Sequence, residues 1–550
     1  MNLIHPIRRS LRGITLVLLT ALAACGGGGD DTSTGSSPTG TTPPPPPAAS
    51  FTLALSTPKA LILQGTTLTL DATVTRSSGF DAAVDVAVTG LPAGVTAAPV
   101  QIAQGATTAT LTLSAEAAAP HSLPTDASVT GSAGALTAQQ QVTVTVRGVA
   151  GSLDTSFGSN GKAVTDVGTT DDYATAMVVQ ADGKLVVAGW GNGPLGYAFE
   201  LVRYQRDGAI DTTFGTAGKV VTAVGHGADQ ANAMALQADG KIVVAGSVDE
   251  SPKGKSFALA RYNADGSLDA GFGTGGKVIT SFGSAVDEAF AVVVQPDGKI
   301  VAGGHTLSAT RGLDFAFARY NADGSADASF GSNGQVALPI TVGNSRDSIY
   351  AMALQTHAGE VKIVAVGGEG DFQMARLHAD GSIDTSFTGG QFGSVIGAAR
   401  AVALTPDNKI VIVGHAGHDF AILQLTAEGQ VDPGFGGSGR AITAVSTTNW
   451  DEAHAVAVQA DGRIVVGGWV YSGNGSAGDY VVARYLADGT LDAGFGNAGL
   501  TITPVAPGTK ADEGRALLLQ TDDRVPAVRS LLAGSANDSN YDFAVTRYWH

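Results

Sequence analysis

The stretch FALARYNADGSLDAGFGTGGKVIT, residues 257–280, decides the fold of this 550-residue chain, because copies of it recur throughout residues 150–550. Its most regular piece is Asp-x-x-Phe, which occurs at Asp154/Phe157, Asp211/Phe214, Asp269/Phe272, Asp327/Phe330, Asp384/Phe387, Asp432/Phe435 and Asp492/Phe495. Successive copies lie 57, 58, 58, 57, 48 and 60 residues apart. A period of this length predicts a repeat architecture.

Each repeat divides into four predicted strands. A segment such as 233–237 leads through an Asp-Gly-Lys turn into the apolar run 242–246, which is typical of a strand buried on both faces. Residues 257–262 and 277–280 supply the other two strands. Four strands per repeat without helical periodicity predict an all-β fold, with a seven-bladed β-propeller over residues 148–550. A stacked solenoid is the alternative, although repeats of this length are large for solenoid rungs.

The repeat also resembles a known family. The words DGKIVVAG at 239–246 and ARYNADGSLDAGFG at 260–273 are similar to those of the bacterial delta-60 repeat, and the resemblance extends over about 400 residues. It implies a β-propeller and implies almost nothing about function.

The two ends of the repeat region are complementary. Residues 543–550 correspond to the third strand of a repeat, and no Asp-x-x-Phe segment or fourth strand follows them. Residues 151–165 contain both of these missing pieces. We therefore predict that residues 151–165 complete the last blade and remove the exposed sheet edges.

The N-terminus is predicted to be a lipoprotein signal over residues 1–24. Three arginines precede a short apolar run, and Leu22-Ala23-Ala24-Cys25 resembles the lipobox of bacterial lipoproteins, which implies that Cys25 is lipidated. Gly26 follows the cysteine, which in that family implies sorting to the outer membrane, facing the periplasm or the cell surface. An ordinary secretory signal is the alternative. Residues 25–50 are rich in Gly, Ser, Thr and Pro and predict a disordered tether.

Residues 51–147 have a different pattern. Leu68, Leu70, Ala72 and Val74 alternate with polar residues, and later segments do the same. Alternation over several short segments predicts antiparallel strands in a β-sandwich of about a hundred residues. The GLPAGV turn at 90–95 and the order of strands around it resemble bacterial immunoglobulin-like modules.

Charge and motifs restrict the possible functions. The net charge of −17 argues against nucleic acid as a partner, because phosphate binding needs clustered Lys and Arg. No serine-hydrolase elbow, Walker loop or zinc-protease motif occurs, and the only cysteine is Cys25. We therefore predict no catalytic residue and no cofactor. His415, His418 and Asp419 are closely spaced, but without a further ligand they are too few to predict a metal site.

Two charged positions recur in the repeats. Six aspartates precede the first strand and could bind a cation or accept backbone N–H groups: Asp172, Asp229, Asp287, Asp347, Asp451 and Asp512. Six arginines recur in the third strand, and an aspartate lies five residues ahead of that position in five repeats. We interpret these charges as structural pairs within or between blades.

Antiparallel strands predict that the uniform turns share one face of the repeat region and the variable loops share the other. Several aromatic side chains fall in the predicted variable loops, and we expect them to bind a glycan or an extended peptide: Trp190, Trp450, Trp469, Tyr471 and His305. The alternative is that each Trp caps its own blade.

The sequence as a whole predicts a lipid-anchored, monomeric binding or interaction protein of the cell envelope. Its partners would be the membrane, through the N-terminal lipid, and an unknown extracytoplasmic protein or glycan. The alternative is an envelope hydrolase or lyase with its site on the same propeller face. An unrepeated acid/base group would favour the enzyme, and His226, His305 and His415 are scattered candidates.

Overall fold

A computed structural model describes residues 49–550, except 78, 169, 194–195, 342–344, 390, 447–449, 472–477, 507–510, 523–524 and 538–539. The predicted signal at 1–24, Cys25 and nearly all of the predicted tether lie outside these residues. The described part of the chain forms strands and no helix, which confirms the all-β prediction. Accordingly, none of the described residues belongs to a helix that is long and apolar enough to cross a membrane.

Residues 51–147 form two sheets around one hydrophobic core. Their nine strands are β1 (Phe51–Leu55), β2 (Lys59–Leu63), β3 (Thr67–Arg76), β4 (Val84–Thr89), β5 (Val95–Ala97), β6 (Val100–Ile102), β7 (Thr108–Ala115), β8 (Thr125–Ala133) and β9 (Leu136–Arg147). One sheet has the order β1-β3-β7-β5 and the other β2-β9-β8-β4-β6. Leu70, Ala72 and Val74 are buried between the sheets, because alternate side chains of β3 point to opposite faces.

The remaining described strands belong to the repeats. They are β10 (Lys162–Thr165), β11 (Asp172–Val179), β12 (Leu185–Gly193), β13 (Gly196–Tyr204), β14 (Lys219–Thr222), β15 (Gln230–Leu236), β16 (Ile242–Asp249), β17 (Lys255–Tyr262), β18 (Lys277–Thr280), β19 (Asp287–Val294), β20 (Ile300–Ser308), β21 (Gly312–Tyr320), β22 (Gln335–Leu338), β23 (Ser345–Arg346), β24 (Ile349–His357), β25 (Glu360–Gly367), β26 (Gly370–Leu377), β27 (Gln391–Gly397), β28 (Ala399–Leu404), β29 (Ile410–Ala416), β30 (Asp419–Leu425), β31 (Arg440–Thr443), β32 (Asp451–Val458), β33 (Ile464–Tyr471), β34 (Gly478–Tyr485), β35 (Leu500–Thr503), β36 (Glu513–Asp522), β37 (Val525–Asn537) and β38 (Tyr541–Trp549).

Within the described residues these strands form seven antiparallel sheets. Six follow chain order, from β11-β12-β13-β14 to β32-β33-β34-β35, and β23 adds a short parallel pairing with β21. The first strands of successive sheets contact one another, and β36 in turn contacts β11. A separate apolar core fills each space between neighbouring sheets, which explains why the second and third strands are buried on both faces.

The seventh sheet, β10-β38-β37-β36, joins the two ends of the repeat region, and we call it the closing sheet. Its strand β10 pairs antiparallel with β38, from Lys162 opposite Thr546 to Thr165 opposite Phe543. The Asp154 side chain contributes as well, since its Oδ2 accepts a hydrogen bond from Arg547 Nε at 2.9 Å. This pairing confirms the prediction that residues 151–165 supply the last outer strand.

The recurring arginines link each sheet to its own Asp-x-x-Phe segment and to the next sheet. Arg261, for example, donates from Nε to Asp269 Oδ2 at 2.8 Å, and its guanidinium lies 4.4 Å from the Phe272 ring centre. Its Nη1 donates to the carbonyl of Ala322 in the following sheet. The same pairing recurs for Arg203, Arg319, Arg376, Arg484 and Arg547.

The acid that pairs with each of these arginines therefore lies in the Asp-x-x-Phe motif. The aspartates five residues ahead, such as Asp314, do not form this pair, because residues five apart in a strand point to opposite faces. The sheet β28-β31 departs from the pattern. Gln424 stands where the others have arginine, and Asp432 pairs with Lys409 at 2.9 Å.

The six aspartates before the first strands accept backbone N–H groups. Asp229 Oδ2, for example, accepts from the N–H groups of Val224 and Gly225 at 2.7 and 3.1 Å. Equivalent bonds hold the loops at the other five positions. These side chains are buried, so the structural interpretation of this position is confirmed.

The Asp-x-x-Phe segments form turns and isolated bridges and add no further strand. The uniform turns after the first and third strands consequently share one face, which we call the turn face. The loops before the first strand and after the second strand share the opposite face, which we call the loop face. This arrangement agrees with the two faces expected from the sequence.

Candidate functional site

A central cavity of about 600 Å³ lies between the first strands of the seven sheets. Each first strand shifts register against the second strand at an equivalent residue, which leaves a β-bulge there in all seven sheets. A bulge re-aims the side chain of the extra residue. The seven bulge residues line the cavity: Thr175, Asn232, Phe290, Tyr350, Arg400, His454 and Arg515.

The bulge residues differ from repeat to repeat, although their surroundings do not. The residue before each is Ala, Ile or Gly, and the residue after it is always Ala. Polar, aromatic, cationic and imidazole groups stand at one equivalent position. The repeat thus keeps its framework and varies the chemistry of one inward-facing position.

One side of the cavity carries an ionic network centred on Glu452, which is 7% exposed. Its Oε1 accepts a hydrogen bond from Arg400 Nε at 2.7 Å, and His415 Nδ1 lies 3.2 Å from the same oxygen. The other oxygen, Oε2, lies 3.3 Å from His454 Nε2. The Arg400 guanidinium also lies 4.6 Å from the ring centre of Tyr350, so the network extends to the neighbouring sheet.

Burial and neighbouring charges shift the pKa values of Glu452 and His454 in opposite directions. Burial alone would raise the pKa of the Glu452 carboxyl, but the facing His454, His415 and Arg400 lower that pKa below its ordinary value. Burial lowers the pKa of His454, more than the nearby carboxylate raises it. At neutral pH the site therefore holds an ionised Glu452, with Arg400 as the fixed countercharge.

Aromatic side chains form the other walls of the cavity. Tyr173 stacks on Trp190 with ring centres 4.4 Å apart, and Phe290 lies 5.5 Å from Tyr350. Trp469 also lines the cavity and is only 8% exposed. Its indole N–H has no hydrogen-bond partner among the described residues. A buried donor without a partner is costly and is suited to a ligand oxygen.

The structure places the predicted aromatic residues in strands more than in loops. Trp190, Trp469, Tyr471 and His305 belong to second strands, because these strands continue past the glycine that the sequence indicated as their end. The prediction of loop positions was therefore wrong for these four residues. Trp450 does lie in a loop and is 36% exposed.

Trp190 and Trp469 line the cavity, whereas the other three residues lie around it. Tyr471 packs against Trp469 with ring centres 4.8 Å apart. His305 is buried, with Nδ1 2.8 Å from Ser348 Oγ and Nε2 3.7 Å from Glu288 Oε1. Since the first strands begin and the second strands end at the loop face, the Trp side of the cavity belongs to that face.

The suggested metal ligands of the sequence take other roles. His415 faces Glu452, while His418 packs against Trp450 with tilted rings whose centres are 4.7 Å apart. In the described part of the chain, three ligand atoms with metal-site spacing occur at Asp166, Asp172 and Asp542, and His415, His418 and Asp419 do not form such a group. His226, another scattered candidate, lies exposed in a loop.

Comparison with known proteins identifies the repeats. A family model described as "Domain of unknown function (DUF5122) beta-propeller" matches residues 180–214, 237–272, 295–330, 358–387, 405–435 and 459–495. The chain is a β-propeller repeat protein. Each matched segment begins near an Asp-Gly-Lys-type turn and ends at or near the Phe of Asp-x-x-Phe, so the match covers the framework of the repeat. The bulge residues lie outside all six segments.

Solved structures add little to this assignment. A tail fiber of Staphylococcus aureus phage P68 is 10% identical, with a TM-score of 0.27, over 58% of this chain and 49% of that one. This chain thus spans about half the length of the tail fiber. A DUF4784 family protein from Bacteroides caccae is 10% identical, with a TM-score of 0.25, over 82% and 98% of the two chains. No curated protein sequence matches the chain.

Proposed function

We propose that the protein is a lipid-anchored binding protein of the cell envelope that recognises a glycan in the central cavity. The observation that carries this proposal is the set of seven unlike bulge residues around one cavity. Sugars bind to aromatic faces through their C–H groups and to polar side chains through their hydroxyls. Tyr173, Trp190 and Trp469 would supply the aromatic faces, and Asn232 and Arg515 would supply hydrogen-bonding groups.

The architecture behind this proposal is a seven-bladed propeller preceded by an immunoglobulin-like module. Seven sheets whose first strands make successive contacts, and the pairing of β10 with β38, support the closed ring. The two sheets of residues 51–147 around a single core support the module, which would act as a spacer. We assign delta-60 repeats to residues 148–550 on the basis of the repeated words in the sequence.

The binding test uses purified residues 49–550 on glycan and peptide arrays, followed by titration of the best ligand. Trp190→Ala and Trp469→Ala are expected to weaken binding about tenfold or more. Trp469 is buried, so Trp469→Ala should also lower the melting temperature, and binding is measured at a temperature at which both variants are folded. Lys241→Ala and Lys299→Ala on the turn face serve as controls, since Arg261 and Arg319 still neutralise the acids that these lysines contact. Weaker binding only in the lysine variants would reject the cavity as the site.

Three further residues extend this test around the cavity. We propose Trp450, Tyr471 and His305 as a rim that long ligands also contact. Their alanine variants are expected to affect a long chain more than a short one. If peptides bind on the array and glycans do not, the proposed site would stay the same and its ligand would be an extended peptide.

The second candidate is an envelope lyase or hydrolase at the same site. It is favoured by His454, an imidazole that no other repeat has at this position and whose pKa is lowered by burial, beside Glu452 and Arg400. A neutral imidazole can act as a general base. Release of new chain ends from a bound glycan, abolished by His454→Ala with binding retained, would favour this candidate.

Anchoring rests on Cys25, which lies outside the described residues. We expect Cys25→Ser to move the protein from the membrane fraction to the soluble fraction, because a thiol is needed for the lipid. Fractionation followed by immunoblotting measures this, with Ser36→Ala in the tether as a matched control. Membrane association of the Cys25→Ser protein would contradict the proposal.

A further inference from the structure

Four carboxylates meet where the closing sheet packs against the sheet β11-β14. Asp166 follows β10 and Asp542 lies in β38, so both belong to the closing sheet, whereas Asp172 begins β11. One carboxylate oxygen from each of these three residues lies within 4.8 Å of the other two. The fourth acid, Glu200 of β13, faces the same junction from within the sheet.

The buried side chain of Glu200 also indicates that a ligand binds at this junction. Its side chain is completely buried, and neither of its oxygens has a hydrogen-bond partner among the described residues. Asp172 Oδ1 is also buried and unpartnered, although Oδ2 of the same carboxylate accepts two backbone N–H groups. Three buried carboxylate oxygens thus have no N–H or hydroxyl donor among the described residues, so either a proton shared between Asp172 and Glu200 or a bound cation must compensate them.

The backbone leaves room for these oxygens to face each other. A Cβ placed on Gly191 would lie 2.4 Å from Asp172 Oδ1 and 2.5 Å from Glu200 Oε2, so a side chain there would collide with both. The residues opposite the equivalent aspartates Asp287 and Asp451 are larger, namely Thr306 and Val470. The Glu200 side chain can therefore occupy this position only because residue 191 is glycine.

The acids are also special to this one junction. The positions equivalent to Glu200, each paired with the same glycine of the second strand, hold Ala258, Ala316, Gln373, Ala421, Val481 and Ala544. The residues that follow the fourth strand, where Asp166 stands, are elsewhere Ala223, Ser281, Pro339, Ala398, Ala444 and Pro504. Framework packing does not need either acid, because the other sheets form without them.

A cation would let all four acids ionise together, because like charges this close otherwise hold a proton between them. Burial and the adjacent Asp172 raise the pKa of Glu200 to about 9. Burial also raises the pKa of Asp172. Lys219 is nearby, but its ammonium group donates to the backbone carbonyl of Asp166. Carboxylates crowded in this way are stable in ionised form only beside a positive ion.

We propose that Asp166, Asp172, Glu200 and Asp542 bind one divalent cation, and that Ca²⁺ is the ion they fit. All the ligands are hard oxygens, which Ca²⁺ prefers, and Ca²⁺ completes its coordination with water and tolerates irregular geometry. The exposed Asp166 provides the entry route. Because two ligands come from the closing sheet and two from the next sheet, the ion joins the two ends of the repeat region to the first complete repeat.

Calorimetric titration of residues 49–550 with CaCl₂ tests the proposal. One site per chain with a Kd of about 10⁻⁴ M is expected, as in other extracellular calcium modules. Saturating Ca²⁺ should raise the melting temperature by about 2 °C or more relative to the protein in EGTA. Absence of heat and an identical melting temperature in both buffers would overturn the site, since the carboxyl pair would then share a proton and need no ion.

Two variants introduce the residue found at the equivalent position of another repeat, and they distinguish a loss of Ca²⁺ binding from a loss of folding. Glu200→Ala, as at Ala258, should weaken Ca²⁺ binding more than tenfold and melt above wild type in EGTA, because a buried acid is removed. Asp166→Ala, as at Ala223, lies on the surface and should weaken binding even if the first variant folds poorly. Asp182→Ala, in an exposed turn of the same sheet, should bind Ca²⁺ like wild type. Full Ca²⁺ affinity in both cluster variants would overturn the proposal.

Discussion

Removal of residues 151–165 is expected to give a protein that aggregates and no longer unfolds cooperatively. The segment contains β10, which covers the outer edge of β38, and Phe157, which is 1% exposed in the core between the closing sheet and its neighbour. Loss of a buried Phe side chain alone costs about 3–5 kcal/mol. Removal of Asp154 also leaves two buried arginines without their acid, at a similar cost. Together these losses approach the whole stability of a typical protein, about 5–15 kcal/mol.

Size-exclusion chromatography and thermal unfolding measure this effect. Deletion of residues 26–40 removes the same number of residues from the predicted tether and should leave both measurements unchanged. A chain without residues 151–165 that stayed monomeric and melted like the complete protein would show that β38 does not need its partner.

A single substitution, Asp154→Ala, is expected to lower the free energy of unfolding by about 3–5 kcal/mol. Asp154 is completely buried and neutralises Arg547, through Nη2 at 2.8 Å, and Arg529, through Nε at 3.1 Å. Both arginines are also buried. The large cost therefore arises from uncompensated charge more than from the lost hydrogen bonds.

Asp432→Ala is the matched comparison, because its sheet has Gln424 in place of the arginine. Asp432 caps its turn by accepting from the N–H group of Gly434, as Asp154 does for Ser156, and its cationic partner is the partly exposed Lys409. We expect a loss of about 1 kcal/mol or less. Denaturant unfolding of both variants measures the difference. Equal losses of unfolding free energy in the two variants would show that the buried arginines do not increase the cost of removing the acid.

The repeat itself made the framework predictable. A signal such as Asp-x-x-Phe, which recurs in seven places, marks the strands and turns and also reveals which pieces the ends must exchange. The hydrogen-bond partners of side chains on either side of a turn were harder to predict. The sequence predicts charged pairs within or between blades but does not assign the acid of each pair, because only the path of the turn brings Asp269 back beneath Arg261.

Unique residues were hidden by the same regularity. Ala453-His454-Ala455 is consistent with an ordinary alternating strand, and the register shift that turns His454 inward depends on the neighbouring strand. A search for the one varying position between fixed alanines would have found the bulge residues. Glu200 and Asp166 each occur once, so comparison among repeats conceals them unless departures from the average are sought.

The bulges also separate what this protein must keep from what it can change. A bulge is made by backbone hydrogen bonding, and none of the seven bulge residues belongs to the buried apolar clusters between the sheets. The residues that hold the sheets together are therefore different from the residues that line the cavity. Substitution of a bulge residue should change the chemistry of the cavity more than the packing of the sheets.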